Sequence, residues 1–128
     1  MKLRISEKFY DGVGYFCDYK SDSIGRKTLD KLEELGFDKI YQNDDPRYPR
    51  AYVYKTFDGA NPVTIYIGEW GAVYVKFGND KPDRNGDSFY NIVDSPRTFS
   101  ELYAVDELGK SIASGMDFDE AEDIFFNS

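Results

Sequence analysis

Leu3 and Ile5 alternate with Lys2, Arg4 and Ser6, and Gly12-Val13-Gly14 breaks the chain before Tyr15-Phe16-Cys17-Asp18-Tyr19. A two-residue period is that of a half-buried strand, so two short strands about a turn are expected here. Ile24, Leu29, Leu32 and Leu35 then form a helical stripe, which predicts a helix over residues 24–35. Ser21, Asp22 and Ser23 offer N-cap oxygens, and Gly36 stands where a helix leaves through a left-handed residue. Residues 37–42 read as a strand, and Pro46 and Pro49 make the following stretch a loop because neither helix nor ladder tolerates them.

The β signal becomes dense over residues 51–57, 63–67 and 72–77, which are rich in Val, Ile and Tyr and separated by two glycine-bearing turns. A three-stranded antiparallel meander is expected. Val63, Ile65, Ile67, Val73, Val75 and Phe77 fall on one face; Thr64, Tyr66, Tyr74 and Lys76 fall on the other. The first face reads as core and the second as a tyrosine-lined outer face. Residues 78–88 are polar, and they read as a loop within the domain, since the 40 residues from Phe89 onward are too few to fold readily alone. Residues 89–93 and 102–105 read as further strands, with Asp106-Glu107-Leu108-Gly109 as a turn into residues 110–113. A closing helix over 117–126 has Asp117 as N-cap, Glu120 as its capping-box partner, Met116 and Ala121 as a staple, and Phe118, Ala121, Ile124 and Phe125 as its buried stripe. The expected architecture is a single α+β domain over residues 1–128. It has a largely antiparallel sheet of six to eight strands, with helices near 24–35 and 117–126 packed on one face.

Composition narrows the chemistry. With 11 Tyr, 10 Phe and one Trp the chain is 17% aromatic, which argues for a packed core and against disorder. There is no histidine, and Cys17 is the only cysteine. Zinc sites of the Cys/His kind, Ser-His-Asp triads and Cys-His dyads cannot be assembled from this chain. No cofactor or metal is expected, and the chain reads as a non-enzyme. A lone cysteine forms no internal disulfide, which suits a cytoplasmic location. The N-terminal residues never give the run of about 7 to 15 apolar residues of a signal peptide, and no later run approaches the length of a membrane span. Neither secretion by that route nor a membrane contact is expected.

The net charge is −8, and it is unevenly spread. Residues 1–60 carry 11 basic and 11 acidic side chains, whereas residues 61–128 carry 5 and 13. From residue 101 onward there are eight acids (Glu101, Asp106, Glu107, Asp117, Asp119, Glu120, Glu122, Asp123) against Lys110 alone. A closing helix that buries its apolar stripe pushes Asp119, Glu120, Glu122 and Asp123 to its solvent side, with the Asp106-Glu107 turn adjacent. One account of such a patch is solubility and helix-dipole compensation, at about 0.3 to 1 kcal/mol per acid in the first turn. The other is that a dense acidic face imitates a phosphate backbone and occupies a nucleic-acid channel on a basic partner. In size and composition the chain resembles the small acidic phage-encoded inhibitors of host defence, of the anti-CRISPR and antirestriction type. Its neutral first half departs from the most extreme DNA mimics. The resemblance implies a cytoplasmic, non-catalytic inhibitor whose partner is a basic, nucleic-acid-handling protein.

Other constellations are weaker. Asp83-Arg84-Asn85-Gly86-Asp87 is similar to the centre of a calcium-binding EF-hand loop, but aligning Gly86 puts Lys81 and Ile92 at the two anchoring positions, so a turn is expected. Trp70 at a hairpin tip is either packed beside the sheet or exposed as an interface anchor. Tyr48, Tyr52, Tyr54, Tyr66 and Tyr74, with Arg47, Arg50 and Lys55 nearby, read either as cross-strand packing or as a stacking platform for single-stranded nucleic acid. The leading expectation is therefore a monomeric protein-binding inhibitor acting through Asp106, Glu107, Asp119, Glu120, Glu122 and Asp123, with Trp70 as a candidate anchor and no direct contact to nucleic acid. The alternatives are a nucleic-acid-binding module using the tyrosine face and a small-ligand-binding domain.

Overall fold

The computed structural model of the chain describes residue 19 and residues 24–43, 45, 47, 49–68, 71–82, 89–93 and 99–126. In chain order these form α1 (Ile24–Glu34), β1 (Asp38–Asn43), β2 (Arg50–Phe57), β3 (Val63–Ile67), β4 (Val73–Phe77), β5 (Tyr90–Val93), α2 (Phe99–Ala113) and α3 (Phe118–Phe126). The protein is α+β, with a five-stranded antiparallel sheet and three helices among the described residues. The strands expected near Leu3 and Phe16, the loop around Gly86, and Cys17 lie outside the described residues.

α1 follows its sequence signal closely. Leu29 and Leu32 are fully buried and Leu35 partly so, the stripe that three-residue spacing produces. Gly36 takes a φ of 96°, which frees its N–H to donate to the Glu33 carbonyl while Phe37 N–H donates to that of Leu32, both at 3.0 Å. This double bond pattern at a left-handed glycine ends the helix and turns Phe37 into the core.

The strands lie in sequential order, each antiparallel to the next, as short connections favour. Their register pairs Val53 with Ile67, Ile65 with Val75 and Val63 with Phe77, so like faces meet like. Ala51, Val53, Phe57, Val63, Ile65, Ile67, Val73 and Val75 are buried in one cluster with Leu29, Leu32, Leu102, Val105, Leu108, Ile112 and Ala121 of the helices. Alternation along each strand thus gives one face to the helical layer.

The main correction concerns residues 99–113. They form one helix of 15 residues, in place of the strands expected at 102–105 and 110–113 and the turn expected at 106–109. This difference, together with the N-terminal strands that lie outside the described residues, separates five strands and three helices from the expected six to eight and two. Tyr103 and Val105 favour strands locally, yet Leu102, Val105, Leu108 and Ile112 recur at helical spacing and all are buried, so packing over the whole segment overrides local preference. Gly109 sits inside the helix for a packing reason: α2 crosses the sheet so closely that a Cβ at this position would run into the Phe57 ring. α2 also contacts β3, and α3 packs on α2. α3 begins as expected, with Asp117 Oδ2 accepting from the N–H groups of Asp119 and Glu120 at 3.1 and 3.4 Å. Among the described residues, no helix is long and apolar enough to cross a membrane.

Candidate functional site

The fold sorts the acids that the sequence groups together. Asp106 is not on the surface: its side chain is 4% exposed, on the inner side of α2, where Oδ1 lies 2.6 Å from Lys55 Nζ and Oδ2 lies 3.0 Å from Lys110 Nζ. The reason is periodicity, because a helix that buries Leu102, Val105 and Ile112 also turns residue 106 toward the sheet. Lys55 meets it there, since odd-numbered positions of β2 face the helices. Lys55 therefore lies on the face opposite Tyr52 and Tyr54, which removes it from the tyrosine platform. Its ammonium also donates to the Leu35 carbonyl at 2.6 Å and sits 4.7 Å from the Phe57 ring centre, so one cation ties β2, the end of α1 and α2 together. The hydrogen-bonded Asp106 carboxylate, and then its charge and that of Glu107, raise the Lys110 ammonium above the ordinary lysine range. Glu107 is exposed, but Lys110 lies 3.5 Å from it.

α3 is different. Asp119, Glu120 and Asp123 are exposed and Glu122 is half-buried, while Ala121 between them is fully buried against α2. Among the described residues none of these four carboxylates enters an ion pair, and the helix carries no base in its last turn. Four like charges on one short helix thus meet no counter-charge among the described residues. Trp70, the candidate anchor, lies outside the described residues.

Next to this helix lies a feature that the sequence did not reveal. The Val75–Tyr90 pairing puts Tyr90, and with it Ile92, on the helix-facing side of the sheet. Among the described residues α2 packs on β2 and β3, and Phe118 of α3 stacks edge-on against Phe77 of β4 with ring centres 6.0 Å apart. Beside this contact lies an apolar groove of about 320 Å³ lined by Val75, Phe77, Tyr90, Asn91, Ile92, Phe118 and Glu122. Tyr90 is 72% exposed and Phe77 48% exposed. Phe77 belongs to the face that the sequence assigns to the core; its exposure follows from where the helical layer stops.

The opposite face carries the tyrosines. Tyr41, Tyr52, Tyr66 and Tyr74 run across four strands with successive ring centres 5.4, 6.3 and 5.7 Å apart, and Phe89 meets Tyr66 at 6.1 Å. Tyr52 and Tyr66, the middle of the row, are only 6% and 2% exposed. Rings so enclosed do not present the open π-faces on which bases stack. Tyr48 lies outside the described residues. No group of three or more metal-ligating side chains occurs among the described residues.

No family model, no curated protein and no solved structure matches this chain.

Proposed function

We propose that the protein is a non-catalytic, protein-binding inhibitor that uses the acidic surface of α3 to occupy a nucleic-acid-binding surface of a basic partner. The observation that carries this reading is the set of four carboxylates, Asp119, Glu120, Glu122 and Asp123, which no ion pair engages among the described residues. A compact array of uncompensated acids steers a basic surface toward it and competes for the sites that phosphates fill. Asp106 has no part in that surface because two lysines already engage it. Histidine-free chemistry and size support the inhibitor reading over an enzymatic one, and similarity in size and composition to phage anti-CRISPR and antirestriction proteins points to the class of partner. We place the protein in the cytoplasm on the strength of its lone cysteine. Burial of Tyr52 and Tyr66 weighs against the nucleic-acid-binding alternative, and a small-ligand reading rests on the groove alone.

The test is capture followed by competition. Immobilised wild-type protein and a variant carrying Asp119→Asn, Glu120→Gln, Glu122→Gln and Asp123→Asn are exposed to lysate of the source cell at low and high salt. The expected result is a nucleic-acid-binding protein retained by the wild type only, released as salt rises, whose binding to its own nucleic acid falls when the wild type is added. Equal capture by both proteins, or undiminished nucleic-acid binding by the captured partner, would overturn the reading.

A further inference from the structure

We infer that the groove between β4, β5 and α3 is the anchoring pocket of this binding surface, and that its occupant is a lysine- or arginine-bearing segment of a protein that inserts a large apolar side chain between Phe77, Tyr90 and Phe118. The inference deepens the protein-binding reading and rests on it.

The groove is large enough to matter. Its volume of about 320 Å³ compares with roughly 30 Å³ for one water in the liquid, so it has room for a bulky side chain. Exposed aromatic rings around a concavity are what interface anchors fill, and the two most exposed large apolar side chains among the described residues, Tyr90 and Phe77, both line it. Phe118 stacks on Phe77, so the floor is preformed and little ordering is needed when it is filled.

The charge around it selects the occupant. Glu122 is the one charged residue among the described residues that line the groove. Phe118 and Glu122 face it one turn apart, and Ala121 faces the core. At about 100° per residue, Asp119 and Asp123 then stand on the solvent side of the groove rim, while Glu120 stands on the far side of the helix. An apolar anchor seated in the groove thus has Glu122 at its edge, Asp119 and Asp123 on the adjoining solvent face of α3, and no lysine or arginine among the lining residues. An acidic segment meets like charge at the same rim.

The probe is a helical peptide of about 14 residues with leucines on one face and lysines on the other. It is titrated into isotopically labelled full-length protein while backbone amide shifts are followed. Two controls of equal length accompany it, one with serine in place of leucine and one with glutamate in place of lysine. We expect the leucine–lysine peptide to move the amides of Phe77, Tyr90, Ile92, Phe118 and Glu122, and to bind at least about tenfold tighter than either control. Tyr90→Ser, at a position 72% exposed, should lower that affinity by about tenfold with the unfolding midpoint kept, as expected for an interface anchor. Glu122→Gln should weaken it severalfold and Glu120→Gln should not. The absence of shifts at millimolar peptide, or equal affinity for the leucine–glutamate control, overturns the inference. If the serine–lysine peptide binds as tightly, with Tyr90→Ser without effect and the fourfold α3 variant inactive, the groove is dismissed while the acidic face survives. Full affinity of the leucine–lysine peptide for the fourfold variant dismisses the acidic face and the basic occupant together.

Discussion

α2 and α3 both carry carboxylates that the sequence places in one acidic stretch, yet they use them oppositely. On α2, Asp106 is folded inward and shared between Lys55 and Lys110. On α3, Asp119, Glu120 and Asp123 stay outside, Glu122 is half-buried at the groove, and among the described residues none of the four meets a cation. The helix with more acids has fewer tied down. What separates the two cases is the phase of each carboxylate relative to its helix's buried stripe, together with Lys55 reaching up from the sheet. Burying a charge is tolerable only with a partner in good geometry, so the inward acid is held by its two lysines, whereas the outward ones need no such partner to fold.

Emptying the inward site should cost the most stability. Asp106→Ala strands the Lys55 ammonium between the Phe37 and Phe57 rings, where its side chain is 20% exposed. Losing one partner of a fully buried pair costs about 3 to 5 kcal/mol, and the residual exposure lowers the expected loss to about 2 to 3 kcal/mol. Urea denaturation checks this, and adding Lys55→Met to Asp106→Ala should recover part of the loss, because no lone ammonium then remains. Next comes the close approach that holds α2 over the sheet. Gly109→Ala pushes a methyl group into the Phe57 ring and should destabilise by about 1 to 3 kcal/mol, the usual range for overpacking, where the same change in an open helix would stabilise. A normal unfolding midpoint for this variant would mean that α2 does not approach the Phe57 ring so closely.

α3 supplies the contrasting case. Replacing Asp119, Glu120 and Asp123 singly by their amides should change stability by no more than about 1 kcal/mol each, as at exposed positions of which the first two also lie in the first turn. Thermal melts of the single variants measure this; a loss near that of Asp106→Ala would show that these acids are tied down after all. The smallest effect concerns pH. Asp106 raises Lys110 above its ordinary value of 10.5, so the contribution of this contact is complete below that pH and is lost as pH rises through the higher folded-state value. Lys110→Met should therefore differ from the wild type in urea midpoint at neutral pH and converge with it in strongly alkaline buffer. A gap that persists there would mean packing of the lysine stem, not its charge, makes the difference.

Much of this architecture is legible in the chain and part is not. The stripe Leu29, Leu32, Leu35 with Gly36 behind it specifies α1, and the alternation of Val63, Ile65 and Ile67 specifies β3 and its faces, because both signals are local and periodic. α2 is misread where Tyr103 and Val105 favour a strand and Gly109 suggests a turn. The helical spacing of Leu102, Val105, Leu108 and Ile112 was available in the sequence, as was Gly115, which ends α2 with the same paired hydrogen bonds as Gly36 ends α1. The parity of β2 likewise put Lys55 with Val53 and Phe57. The groove is another matter: it depends on how far α2 and α3 extend over β4 and β5 among the described residues, and no local pattern records where a helical layer ends.

The outward acids of α3 are expected to serve association and to leave folding untouched. The most direct test is the association rate with the captured partner as a function of ionic strength, for the wild type and for the variant with Asp119, Glu120, Glu122 and Asp123 all neutralised. The expected result is a wild-type rate that is fast at low salt and falls steeply as salt screens the charges, and a variant rate that is slower and nearly flat. Parallel salt dependences at equal rates would contradict it.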